Sequence, residues 1–192
     1  MLYTVRRSLE AWAAVVSIAT AVVAWHRGAL VGTESQPPIL EMQGDAEILG
    51  TLHQSNLNEI NAAKMAQTIS SDAGVRAFAN QMVSDHTTLD QQDSILAAQL
   101  GLPPTLGDSI MARQGLAEMD NLRARSGGAA FDVAYIGAQV QDHMQAFAIV
   151  DSSRRVAQSP ALRTALVKLI RPVIARHLQM AKSVRDRITT DR

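Results

Sequence analysis

The stretch DAGVRAFANQMVSDHTTLDQQDSILAAQL, residues 72–100, reads as one amphipathic helix from end to end. Val75, Phe78, Met82, His86, Leu89, Ile95 or Leu96, and Leu100 recur at helical spacing, which places them on a single face of a helix with 3.6 residues per turn. Asp72 stands at the N-cap position, and Gly101, Pro103 and Pro104 stop the pattern at its far end. One member of this apolar stripe is His86.

The same period extends in both directions along the chain. Upstream, Ile48, Leu52, Asn56, Glu59, Ala63 and Ala66 predict a helix from Asp45 to Ile69, ended by Ser70 and Ser71. Downstream, a short connecting helix is expected over Asp108 to Arg123, closed by Ser126, Gly127 and Gly128. Phe131, Tyr135, Gln139, His143, Phe147 and Val150 predict a third long helix over Ala129 to Ala157. Ser159 and Pro160 open a fourth, reaching Ile188, with Leu162, Leu166, Leu169, Val173, His177, Met180 and Val184 inward. Pro172 predicts a kink in it, because proline lacks the N–H that a helix interior needs. No strand pattern appears, so the fold class is all-α: an up-down four-helix bundle over residues 44–190.

Two further segments precede the bundle. Arg6 and Arg7 stand before an apolar run from Ala11 to Trp25, broken only by Ser17 and Thr20. Residues 1–27 therefore read as a signal peptide or an uncleaved membrane anchor. The run is shorter than the ~20 residues a spanning helix requires, and Val22, Val23 and Ala24 suit signal-peptidase cleavage. Residues 28–43, with Gly32, Pro37 and Pro38 and no period, read as a linker. Such a protein is expected to be exported, either periplasmic or tethered to the inner membrane and facing the periplasm.

Composition closes off several chemistries. With 192 residues and no cysteine, the chain has no disulfide, thiolate zinc site, iron–sulfur cluster or cysteine nucleophile. Acidic and basic residues number 18 each, but unevenly placed: residues 28–120 hold 12 acidic and 3 basic side chains, residues 121–192 hold 5 and 12. The basic fourth helix is expected to pair with the acidic first and second. Basic residues are not interleaved with aromatic ones, so no nucleic-acid partner is expected. Phosphate-loop, Ser-His-Asp and paired-carboxylate motifs are absent too.

The anomaly lies in polar residues on apolar stripes. Each long helix turns one ligand-capable group inward: Glu59, His86, His143 and His177. At a rise of ~1.5 Å per residue, the three histidines fall at one height to within about a turn, and Glu59 about a turn away. Such a layer could hold one zinc, iron, manganese or copper ion. Asp85 and Asp142, each directly before a histidine, could ligate as well or orient the rings, and Tyr135 could contribute its hydroxyl. The same four groups could instead satisfy one another as a buried hydrogen-bond network with no metal. Met65, Met82, Met144 and Met180 are expected as core filler rather than ligands, and His53 as a surface residue.

Several spaced motifs carry a family resemblance. Met82 to Asp85-His86 resembles the M-x-x-D-H helix of the bacterial exported family called domain of unknown function 4142. Ser126-Gly127, Phe131-Asp132, Tyr135 and Asp142-His143 are similar to its next segment, and Pro172 to His177-Leu178, Met180 and Ala181 to its closing element. Glu59-Ile60 with Lys64 and Ala66 resembles its first-helix motif. The resemblance implies a ferritin-like helical bundle exported by bacteria, and it brings no activity with it. Di-iron bundles of that fold use Glu-x-x-His pairs, and this chain contains none, so ferroxidase chemistry is not expected and an enzymatic role is less expected than a binding one.

Overall fold

The computed structural model describes residues 44–103, 108–125 and 127–190. The expected leader and linker lie outside them. Among the described residues every regular element is helical: α1 (Asp45–Ile69), α2 (Ala73–Gln99), α3 (Ser109–Arg123), α4 (Gly128–Val156), α5 (Pro160–Ala165), a π-helical turn (Leu166–Ile170) and α6 (Arg171–Thr190). The last three run on as one rod, so four long rods and one short helix are present.

Local chemistry sets the boundaries. Asp72 accepts from the Val75 amide to cap α2, Asp108 accepts from Ile110 and Met111 to cap α3, and Ser159 accepts from Ala161 and Leu162 ahead of Pro160. Gly127 enters α4 at φ 82°, a conformation a side chain would strain. The Asp45 carboxylate reaches across to the amides of Gln158 and Ser159, which ties the start of α1 to the start of the last rod.

Side-chain pairs give the topology. His53–Asp90 and Gln67–Asn80 set α1 against α2 antiparallel. Asp72–Arg187 and Asp85–His177 do the same for α2 and α6, as Asp151–Arg171 and His143–His177 do for α4 and α6. The end of α1 shares an apolar cluster with the start of α4, and its beginning shares one with the end of α4, so that pair is antiparallel too. Consequently α2 and α4 point the same way on opposite corners. The chain returns between them through one long crossover filled by α3, which is the connectivity of ferritin-like bundles.

Apolar burial is split in two. One cluster packs Ala62, Ala66, Phe78, Met82, Phe131 and Tyr135, and the other packs Ile48, Leu49, Leu89, Val150, Leu162 and Leu166. A polar layer separates them: Asn56 on α1, His86 on α2, His143 on α4 and His177 on α6, all buried. The basic last rod meets the second helix as expected, with Arg176 on Asp85 and Arg187 on Asp72 at the α2 N-cap, while Arg171 pairs with Asp151 of α4, which was not expected. Met82 is core and Met65 and Met180 flank it, whereas Met144 faces solvent at 51% exposure.

The inner face of the last rod differs from the uniform helical reading. Ile170, Ile174 and Ala181 are buried where Leu169, Val173 and Met180 were expected, and the latter three lie half-buried at the margin. The cause is the π-turn, in which the Arg171 amide donates to Leu166 five residues back. One extra residue in that turn advances the inward face by one position at Ile170 and Ile174, while His177 is buried where it was expected. The break expected at Pro172 thus falls just upstream of it.

Candidate metal centre

His86, His143 and His177 come together at the bundle midpoint. One ring nitrogen from each lies within 4.8 Å of those of the other two. Ring centroids are 5.2 Å apart for His86 and His177, 5.3 Å for His143 and His177, and 5.9 Å for His86 and His143. No more than 6% of any of these residues is exposed, so whatever the inner nitrogens meet must come from the protein or a bound species.

The outer nitrogens fix the tautomers. His143 Nδ1 lies 2.9 Å from the Gln139 carbonyl, which can only accept, so Nδ1 carries the proton. His177 Nε2 lies 2.8 Å from Asp85 Oδ2, a carboxylate, so Nε2 carries the proton there. His86 Nδ1 lies 2.9 Å from Asn56 Oδ1, and Asn56 is oriented by donating its amide to Asp93 at 3.0 Å. His86 therefore donates from Nδ1. In the neutral rings this leaves three bare lone pairs facing inward: His86 Nε2, His143 Nε2 and His177 Nδ1.

Two of those lone pairs meet. His143 Nε2 and His177 Nδ1 are 3.3 Å apart, and with both outer protons placed neither has a hydrogen to donate. The third, His86 Nε2, is buried with no hydrogen-bond partner. Burial lowers all three imidazoles: His143 and His177 to about 4, His86 well below the ordinary value. Asp85 is pushed up by burial but pulled lower overall by the hydrogen bonds from His177, Gln81 and Arg176.

Glu59 stands apart from this triad. Its Oε1 is 3.8 Å from His143 Nδ1, the outer nitrogen, and its Oε2 accepts from Gln139 at 2.8 Å. Burial raises its pKa to about 7, with the Gln139 bond acting the other way. Asp142, expected as a ligand or support of a ring, shares a cavity wall with His86, His143, Glu59 and Glu118, its Oδ2 buried without a hydrogen-bond partner. Asp85 does orient a ring, but that of His177 across the bundle rather than its sequence neighbour His86. The Tyr135 hydroxyl is buried with no hydrogen-bond partner, its ring packed against Phe78 and Phe131. His53, read as a surface residue, is half-buried and paired with Asp90 at 2.5 Å.

Three groups beyond the expected ligands belong to the surroundings of the centre: Asn56 and Asp93, which hold His86, and Glu118 on the cavity wall. Asn56 sits on the same stripe as Glu59, and a buried amide opposite a histidine is a legible signal. Glu118 comes from the crossover helix, whose placement no local pattern discloses.

A cavity of about 320 Å³ adjoins the centre, with His86 and His143 on its wall. That size is within the range of small-ligand sites.

A family model described as domain of unknown function (DUF4142) matches residues 31–184. No curated protein and no solved structure gives a significant match.

Proposed function

The chain belongs to the DUF4142 family, and we propose that it is an exported helical-bundle protein whose three inward histidines hold one transition-metal ion in an envelope or stress role. The carrying observation is the pair of bare nitrogens on His143 and His177, 3.3 Å apart. Two acceptors buried face to face repel unless a proton or a metal ion lies between them, and burial, which lowers both rings to about 4, works against the proton. Two imidazoles on one tetrahedral zinc, each at ~2.0–2.1 Å, place their nitrogens ~3.3–3.4 Å apart, so the observed gap matches that edge.

The surroundings support the same reading. Each ring has its outer N–H engaged by an amide oxygen, a backbone carbonyl or a carboxylate, the arrangement that orients ligating histidines. An all-imidazole donor set suits zinc or copper better than manganese, which prefers carboxylate and water. Three protein ligands leave a fourth position, and a metal there would act as a Lewis acid or hold an exogenous ligand. Export rests on Arg6, Arg7 and the apolar run to Trp25; among the described residues no helix is long and apolar enough to cross a membrane.

The test is elemental analysis of the protein purified from its native compartment, beside the His86→Ala/His143→Ala variant checked for helicity. About one equivalent of zinc or copper in the parent, falling at least ten-fold in the variant, is expected. Equal substoichiometric metal in both would overturn the proposal.

A further inference from the structure

We infer that the cavity beside the histidines, which shares His86 and His143 with the metal centre, binds a small aliphatic amine as its ammonium ion. Its wall divides by chemistry. Glu59, Glu118 and Asp142 contribute three carboxyl groups, while Leu52, Leu89, Val150, Ile170 and Ile174 contribute aliphatic surface. Neither lysine nor arginine is among the described residues that line it.

Two of the wall's carboxyl oxygens have no donor: Glu118 Oε1 and Asp142 Oδ2 are buried without a hydrogen-bond partner. Buried acceptors left unpaired cost about 1–3 kcal/mol each, and more when charged, so the wall calls for a ligand that brings N–H groups and positive charge. An ammonium brings three donors on one centre.

A bare metal ion fits this wall less well. Among the described residues only the histidine triad gathers three ligand-capable atoms within 4.8 Å of one another, so the carboxylates do not converge as first-sphere ligands. An inorganic ion would also leave the aliphatic half uncovered. A cavity of about 320 Å³ is at the small end of small-ligand sites, which suits a short alkylamine.

Because His86 and His143 border both the cavity and the metal centre, the experiment uses chelator-treated full-length protein, so that a bound metal does not compete for the space. Hexylammonium, hexanol and hexanoate are titrated calorimetrically into the parent and into Glu118→Gln and Glu118→Gln/Asp142→Asn variants, each checked for helicity. Expected is one hexylammonium per chain, bound at least ten-fold more tightly than hexanol, with hexanoate weakest. That preference should shrink at least ten-fold in the double variant, or in the single variant if the double one does not fold. Equal affinity for hexylammonium and hexanol would overturn the inference. So would no binding, or calcium or magnesium binding at these carboxylates that hexylammonium cannot displace.

Discussion

His177 is held by Asp85 from another helix, at 2.8 Å, and the same carboxylate oxygen accepts from Gln81 and Arg176. Three donors on one oxygen leave the carboxylate little freedom to turn, and that fixes which nitrogen of His177 faces its neighbours. Asp85→Asn keeps an acceptor of nearly the same shape but removes the charge that makes His177 Nε2 an obligatory donor. Because Asp85 reaches solvent at 20% side-chain exposure, the fold should survive. The expected outcome is zinc affinity lowered about 10- to 100-fold, the range for lost support of a ligating histidine, with helicity unchanged. Competition with a chromophoric chelator measures it, and an unchanged affinity would remove Asp85 from the site. The histidines were legible in the sequence because a titratable ring on an apolar stripe is conspicuous. Their partners were not, since adjacency in sequence, Asp85 beside His86, points to the wrong ring.

At the level of elements, α3 and the last rod depart most from a regular reading. α3 approaches α1 so closely at Gly115 that a Cβ there would overlap the Asn58 side chain, whose amide donates to the Met111 carbonyl at 2.8 Å. Gly115→Ala should displace that amide and lose about 1 kcal/mol of hydrogen bonding. It also gains up to ~1 kcal/mol of helix propensity. The two nearly cancel, so the melting temperature should barely move, whereas amide exchange across Ser109–Arg123 should quicken as α3 loses its link to α1. Exchange as slow as in the parent would show that Asn58 is not what seats the helix. The crossover that α3 occupies also changes how the helices of the histidine layer run relative to one another. A shared height for His86 and His143 follows from antiparallel neighbours, yet α2 and α4 run parallel. The heights agree all the same, because each histidine sits near the middle of its helix and a midpoint does not change when a helix is reversed. On the last rod, the 3.6-residue period carried the inward face to Leu166, missed it by one position at Leu169, Val173 and Met180, and met it at His177, since π-turns leave no separate mark in hydrophobic spacing.

Across the whole molecule, a polar layer between two apolar clusters makes stability depend on pH. Asp93, 4% exposed, is raised to about 7 by burial, with Asp90 adding and the Asn56 hydrogen bond opposing. A carboxyl raised in the fold stabilises it while protonated. That contribution is complete below the unfolded value of 3.8 and is lost as pH rises to about 7. Asp93→Asn cannot ionise, so its urea midpoint should fall less between pH 5 and 8 than the parent's. The difference should be on the order of 2–4 kcal/mol at most. Parallel curves would show that Asp93 is not the group responsible. The all-helical class, the positions of the four long rods and the inward turn of the three histidines were set by the chain's own periodicity and caps, which are local properties of spacing and backbone chemistry. The crossover, the removal of Glu59 to the far side of His143, the meeting of two bare nitrogens and the carboxyl-lined cavity were decided only by packing. Each depends on the rotation and register of one rod against another, which side chains far apart in sequence set together.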